Sequence, residues 1–456
     1  MVSSNYFIIL IGLTWLIQIT ISEKCLEYLS PIYRYKIKVV DCPIVSSNNK
    51  RQTIPTDNML TINFNCLIDD NILCNKVENV LVTAGKFITA TLNLKSAVNL
   101  DAQFVNFCST YGDCGNQKVI LGATRPGRMI PLVDTDGKIR FYPQALLKQM
   151  DLPAEHPQLG PNDIVTIFNS DVTYWFEGDP SSTLSNSPDM LYVVVHELIH
   201  GLGFTTAWTD YFNIQVLTPI IGQLAAEGQF FEFIFDKYLV LLPSGKTFTS
   251  IADELNKFPI NVDMTKNDFI NAFSKSPQFL IAQDAYNNAI THGTIGFLTK
   301  PNLPPNTPLT QDDVVILETS LVPFTRGSSI AHVDFQTYFS TSDFLMMYRY
   351  PKISLGEMMF RAGSANTTGP IGPKLRLLLE MLGYEVKKDY IPPVILSSLK
   401  SDNNPFNDTS NTSKSPNSSN TTNKKNDSSL ITFNLALSLV CILLTLPIAF
   451  IKNVRY

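Results

Sequence analysis

Apolar residues recur along this chain with a period that changes from segment to segment, and the changes mark its elements. From Met59 to Leu67, the residues Leu60, Ile62, Phe64 and Cys66 alternate with polar neighbours, as a half-buried strand requires. The spacing then becomes helical. Val77, Val80, Leu81, Ala84, Phe87, Ile88 and Leu92 fall three and four apart, which predicts an amphipathic helix over Asn75–Leu92. Strand-like runs follow near Ala97–Phe107, Met129–Leu132, Lys138–Phe141 and Asp163–Asn169. An uninterrupted apolar run from Tyr192 to Val195 then leads a helix into a core. Upstream, Ser187–Pro188–Asp189 reads as an N-cap, a first-turn proline and an acid suited to the helix dipole. This order predicts an α+β half-domain in which sheet and helices share one core. Ile164–Phe168 is the strand expected nearest the cleft, with an edge that an extended peptide would join.

Residues 205–329 are too apolar for a linker and are expected to fold as an insertion beside the cleft. Helical periodicity is read in Val216–Val240, through Phe231, Ile234, Phe235, Tyr238 and Leu239, and again in Phe279–Ala289. Pro301–Pro308 interrupts the segment with a stiff loop. The chain thus divides into a leader (1–22), an N-terminal or pro-segment (23–58), a first subdomain (59–204), the insertion (205–329) and a second subdomain (330–397). A tail follows from 398 on.

Both ends point to export. Tyr6–Ile21 is an apolar run with Thr20 and Ser22 near its end, like a secretory signal, although no Lys or Arg precedes it; a retained anchor is the alternative. Residues 398–429 are dominated by Asn, Ser, Thr and Lys and are expected to form a disordered stalk. Asn407, Asn411, Asn417, Asn420 and Asn426 head glycosylation sequons there, and Asn366 heads one in the body. Leu430–Ile451 carries no charge and is long enough to span a bilayer, with Lys452 and Arg455 behind it in the short tail 452–456. A removable signal for a GPI lipid anchor fits the same residues. Either way the chain is expected to reach the cell surface and to associate with a membrane through this segment.

Cys25, Cys42, Cys66, Cys74, Cys108 and Cys114 form an even set, as expected of an oxidising compartment, while Cys441 sits apart in the tail. Six thiols allow fifteen pairings, of which Cys66–Cys74 and Cys108–Cys114 are sterically plausible. A competing use of Cys25 or Cys42 is as a metal ligand in a latent precursor. The formal charge of −5, with no basic patch carrying interleaved aromatics, argues against a nucleic-acid partner.

The chemistry concentrates in Val195–His196–Glu197–Leu198–Ile199–His200–Gly201–Leu202–Gly203–Phe204. Histidines four apart on a helix project from one face, so their imidazoles can grip one metal ion. The intervening Glu197 stands beside a water on that metal, the arrangement of a zinc hydrolase. With five histidines in the whole chain, a chance match is remote. An amphipathic helix that merely carries two histidines would bury them, and an acid, without a partner. Gly201 and Gly203 permit a sharp turn after His200.

A catalytic zinc takes three protein ligands and leaves a position for water. In the compact pattern His-Glu-x-x-His-x-x-Gly-x-x-His the third would stand at 206, which is Thr206. His156, His292 and His332 remain, as do Glu227 and Glu232, which would complete a His-His-Glu set. His156, before Pro157, reads as an exposed loop residue.

The segments Gly327–Ser328–Ser329–Ile330–Ala331–His332 and Asp343–Phe344–Leu345–Met346, with His196, Glu197, His200, Gly203 and Phe204, resemble the metal blocks of leishmanolysin-type peptidases, a branch of the metzincins. Gly372–Leu382, closed by Gly383–Tyr384, is similar to that family's terminal helix. The resemblance covers about Met59 to Val386 in order of elements. It implies a zincin-like catalytic domain with a long insertion before the third ligand, His332, and a turn methionine at Met346 or Met347. It also implies a Zn2+ cofactor, Glu197 as general base and polypeptide substrates. The insertion is longer than is usual there, His332 and Met346 are more widely spaced, and the cysteine-rich domain of leishmanolysin has no counterpart. Tyr348 or Tyr350 would then donate a hydrogen bond to an oxyanion, or serve as packing. The expectation is a cell-surface or secreted zinc endopeptidase; the rival is a catalytically inactive zincin scaffold serving adhesion.

Overall fold

Among the described residues four β-sheets organise the chain, and one of them carries the helix with the paired histidines. The computed structural model describes residues 23–30, 32–33, 36–42, 44–46, 59–114, 119–152, 155–223, 228–261, 263–300 and 309–395. Contacts divide the chain after Asn403, and every described residue belongs to the first unit. The expected leader, the stalk, the apolar tail segment, Glu227 and the Pro301–Pro308 loop lie outside the described residues. Among the described residues no helix is long and apolar enough to cross a membrane.

The strands, in chain order, are β1 (Glu23–Tyr28), β2 (Ile37–Cys42), β3 (Ile44–Ser46), β4 (Leu60–Cys66), β5 (Val98–Val105), β6 (Gly122–Pro126), β7 (Met129–Val133) and β8 (Ile139–Pro143). They continue with β9 (Glu155–Pro157), β10 (Ile164–Asn169), β11 (Ile220–Gln223), β12 (Gly228–Phe233), β13 (Leu239–Leu241), β14 (Lys246–Thr247), β15 (Ile295–Leu298) and β16 (Val314–Ile316). The longer helices are α1 (Asn71–Thr91), α2 (Met190–Gly201), α3 (Phe248–Leu255), α4 (Lys266–Phe273), α5 (Pro277–Ala289), α6 (Leu355–Arg361) and α7 (Pro373–Leu382). The protein is a mixed α+β structure.

The sheet that positions the site runs β4-β5-β10-β6, with β4, β5 and β10 parallel and β6 antiparallel at the edge. Its alternating pattern holds on the strand read first: Leu60 is buried and Thr61 exposed. Helix α1 caps at Asp70, which accepts from the amides of Ile72 and Leu73, and buries Val77, Leu81, Ala84, Phe87 and Ile88. That apolar face and the sheet enclose α2, all twelve residues of which are buried. A helix so enclosed needs no polar face, so its sequence is apolar all round except where His196, Glu197 and His200 interrupt it.

The structure corrects several expectations. Ile164–Asn169 is an interior strand, held on both sides by β5 and β6; the edge strand on its side of the sheet is Gly122–Pro126. Gly-Ala-Thr-Arg-Pro has no apolar alternation, so it left no periodic signal. Val216–Val240 is mostly strand (β11, β12 and β13), joined by a short 3-10 turn at Ile234–Tyr238. The run Phe230–Phe235 is buried on both faces and, Glu232 apart, apolar, a pattern that strand and helix share. Phe279–Ala289 does lie in a helix, α5. The segment 205–329 contributes β12 to a six-stranded sheet of order β11-β12-β8-β7-β1-β2, and it also supplies the four-stranded sheet β14-β13-β15-β16. It is therefore woven into the body, and its residues Thr205, Thr206 and Phe324–Ser329 also lie beside the cleft. The N-terminal strand β1 is likewise internal, between β7 and β2.

Three disulfides close short loops: Cys25–Cys42, Cys66–Cys74 and Cys108–Cys114. Cys25 and Cys42 are thereby bound to each other, which removes them as metal ligands.

Candidate metal centre

Helix α2 begins at an acid that is itself buried. Asp189 is the N-cap, rather than Ser187 as the sequence suggested; one carboxylate oxygen accepts from Leu191 N at 2.8 Å and Tyr192 N at 3.4 Å. Its other oxygen accepts from Leu355 N, 2.7 Å away, at the start of α6. One side chain thus caps α2 and also takes the first amide of α6, whose own N-cap is Ser354, from a site 2 % exposed. Burial is the main reason that its carboxyl is pushed up to about 6, against the three amides that favour the anion.

Two turns on, His196 and His200 face the same way. Gly201 lets the helix sit close on β10, since a Cβ there would stand 2.4 Å from Ile164 Cγ2. Gly203, at φ +122°, then reverses the chain in a conformation that other residues rarely adopt. Tyr384, past the end of α7, donates from its hydroxyl to the Leu202 carbonyl at 2.8 Å and fastens this turn.

His332 comes from 132 residues beyond His200 and lies with both. Its Nε2 stands 3.2 Å from His196 Nε2 and 3.3 Å from His200 Nε2. Its segment is pinned on both sides: Glu318 N donates to the His332 carbonyl at 2.8 Å, and Val333 N donates to the Met346 carbonyl at 2.9 Å. Ile330, two residues earlier, is fully buried and holds φ at +53°, a costly conformation for a β-branched residue.

The other ring nitrogen of each histidine decides what these distances mean. Nδ1 of His196 faces the Leu345 carbonyl at 2.7 Å, that of His200 the Phe204 carbonyl at 2.7 Å, and that of His332 the Ser328 carbonyl at 3.1 Å. A carbonyl only accepts, so in each neutral ring the proton sits on Nδ1 and the Nε2 lone pair points at the other two rings. Three converging lone pairs repel unless a cation lies among them. Ligands about 2.0–2.1 Å from a tetrahedral zinc stand roughly 3.3 Å apart, so the donor set and its spacing fit that ion. Backbone carbonyls behind metal-binding imidazoles are the usual means of fixing their tautomer. Among the described residues, this trio is the one cluster of three or more His, Cys, Asp or Glu side chains disposed to hold a metal.

Glu197 is 6 % exposed and lines, with His196 and His332, a cleft of about 1430 Å³. The Leu121–Ala123 stretch, including the start of the edge strand β6, forms another part of its wall. Met346 is fully buried in the turn Phe344–Met346, whose Leu345 carbonyl also accepts from the Tyr192 hydroxyl at 3.0 Å; Met347 is the methionine that reaches the cleft. Tyr350 donates its hydroxyl to the Ile353 carbonyl at 2.8 Å, and Tyr348 lines the cleft.

The rival ligands lie elsewhere. His292 Nε2 is 3.1 Å from buried Asp334. His156 is half-buried in the β3–β9 ladder rather than in an exposed loop, with Nδ1 2.9 Å from the Pro157 carbonyl. Glu232 belongs to a buried network around Arg140, which also pairs with Asp134 and Asp136. Next to it, Asp236 accepts from Thr206 Oγ1, Ala207 N and Phe233 N at 2.6–3.0 Å and so holds the loop that follows α2. Burial first, and then the Glu232 charge, push the Asp236 carboxyl up to about 8. Sequence reasoning missed the Asp236 anchor, the carbonyls of Leu345, Phe204 and Ser328, and the edge strand. Backbone acceptors leave no trace in residue identity, and Asp236 reads as an ordinary surface acid.

No solved structure matches this chain. An uncharacterized protein of Schizosaccharomyces pombe, PB7E8.01, is 28% identical over 369 residues, covering 73% of this chain and 63% of its own length. The match therefore spans less than two thirds of that relative. One family model, described as SPBPB7E8-like, matches residues 20–227 and 224–423. Those two stretches take in well over half of the sequence, and the chain belongs to the SPBPB7E8-like family.

Proposed function

We propose that this protein is a zinc-dependent endopeptidase of the leishmanolysin-like, metzincin type, exported and tethered at the cell surface. The observation that carries the reading is the set of three Nε2 lone pairs, each fixed by a carbonyl behind its ring, with a buried glutamate beside them in a wide cleft. His196, His200 and His332 would hold the ion. When bound, zinc supplies Lewis acidity that lowers the pKa of a water towards about 7 and polarises a carbonyl.

The remaining chemistry belongs to the chain. Glu197 takes the water proton as the water attacks the scissile carbonyl, and passes it to the departing amide nitrogen. The free side of β6 is the natural place for an extended substrate, which adds a strand to the sheet and lies across the histidines. Tyr348 is the tyrosine left to donate to the oxyanion, since the Tyr350 hydroxyl is engaged by Ile353. The three disulfides suit an oxidising compartment and support export.

The test is cleavage of a denatured protein substrate by the purified zinc-loaded chain, with and without a chelator. Glu197→Gln should keep its zinc and lose hydrolysis by several orders of magnitude. Retained hydrolysis in that variant rules out the proposed base. Full zinc occupancy without cleavage by the wild type favours the inactive-scaffold alternative.

A further inference from the structure

The cleft has one wall whose character the zinc site does not explain. Tyr348–Arg349–Tyr350–Pro351–Lys352 follows directly on the turn that holds His196, and Tyr348, Arg349, Tyr350 and Lys352 all line the cleft. Aromatic and basic residues alternate along it, which corrects the sequence reading that found no such patch. Tyr348 packs edge-on to Phe335 and Tyr350 edge-on to Tyr192, while Arg349 and Lys352 are exposed. The Arg349 guanidinium lies over the Phe335 ring at 4.5 Å, which holds it in place without neutralising it. Among the described residues neither Arg349 nor Lys352 forms an ion pair, in a chain whose net charge is −5.

Of the three acids that share the cleft, Glu197 stands beside the histidines, and Asp171 and Asp210 are hydrogen-bonded within the fold. The two carboxylate oxygens of Asp210 accept from Ile214 N at 3.2 Å and Gln215 N at 3.1 Å. Those of Asp171 accept from Asn106 Nδ2 and from Cys108 N. A third cation, Arg326, reaches across to the Asp210 carbonyl and to Asn213 Oδ1, and adds its charge to the same space. The cleft therefore offers exposed cationic donors above an aromatic floor, with Asp171 and Asp210 already hydrogen-bonded and Glu197 set apart beside the histidines.

We propose that the cleft selects acidic polypeptide segments, with substrate carboxylates set against Arg349 and Lys352 beside the bond to be cleaved. This rests on the peptidase reading and names its substrate class. Partly exposed pairs of this kind contribute modestly, so the expected preference for Glu over Gln at the favoured position is about threefold to tenfold in kcat/KM. It should shrink as salt screens the pair.

The experiment uses the full zinc-loaded chain and peptides of one sequence with Glu, Gln or Lys at each position flanking the cleaved bond. Cleavage is followed by kcat/KM at low and high salt, and binding to Glu197→Gln protein by fluorescence anisotropy. The expected result is the order Glu, Gln, Lys in both measurements, with R349E/K352E reversing it. Peptides that bind in this order but are never cut by the wild type refute the peptidase reading and leave the selectivity standing. Cleavage or binding indifferent to charge at every position, or no binding of any peptide, overturns the selectivity. Because the first comparison changes only the peptide, it holds even if the double variant misfolds.

Discussion

Asp189 is where the account is most exposed to a stability measurement. Replacing it by Ala removes the acceptor for Leu191 N at 2.8 Å and Leu355 N at 2.7 Å, together with a weaker contact to Tyr192 N at 3.4 Å. The site is 2 % exposed, so water cannot take over those amides. Each buried donor left unsatisfied costs about 1–3 kcal/mol, which puts Asp189→Ala at roughly 3–5 kcal/mol. An ordinary exposed N-cap costs about 1 kcal/mol. Asp189→Asn separates the two roles. Its single carbonyl oxygen can cap α2, but its amide group then points a donor at Leu355 N, so about 1–3 kcal/mol should still be lost. Urea unfolding of zinc-free protein at neutral pH reads these differences without the metal adding its own linkage. Asp189→Asn within about 0.5 kcal/mol of wild type, or Asp189→Ala no worse than an exposed cap, would refute the argument that one carboxylate serves both helices.

Two further tests address the helix and its following loop. Gly201→Ala should cost about 1–3 kcal/mol by overpacking against Ile164, and combining it with Ile164→Ala should cost less than the sum of the two single changes; additive thermal-unfolding shifts would contradict the close approach. Asp236, raised to about 8 by burial and by Glu232, is held preferentially in its neutral form by the fold. Its contribution is therefore fully present below the unfolded value of about 3.9 and is lost as pH rises through about 8. Wild-type melting temperature should fall across that window more steeply than that of Asp236→Asn, and parallel pH profiles would show that the group is ionised throughout.

How much of this was legible in the chain depended on how local each signal is. The 3.6-residue spacing of Val77, Leu81, Ala84 and Ile88 predicted a helix, and the structure buries those residues in α1, with its start four residues earlier, at Asn71. The His-Glu-x-x-His spacing predicted two imidazoles on one face because helix geometry alone sets that. The approach of His332 could only be expected by resemblance, since nothing between residues 200 and 332 encodes the return path. Strand order was hidden for the same reason: pairing of β10 with β6 is a long-range choice, and Gly122–Pro126 carries no periodicity to announce it. The Phe-rich run before Asp236 misled because a segment buried on both faces loses the polar beats that distinguish a strand from a helix.

X-ray absorption at the zinc edge of the purified protein tests the central claim most directly. One zinc per chain is expected, with three imidazole nitrogens at about 2.0–2.1 Å and an oxygen ligand completing the set. His332→Ala should remove one of those nitrogens and weaken binding. A wild-type spectrum with two imidazoles, or one that His332→Ala leaves unchanged, would contradict the three-histidine centre.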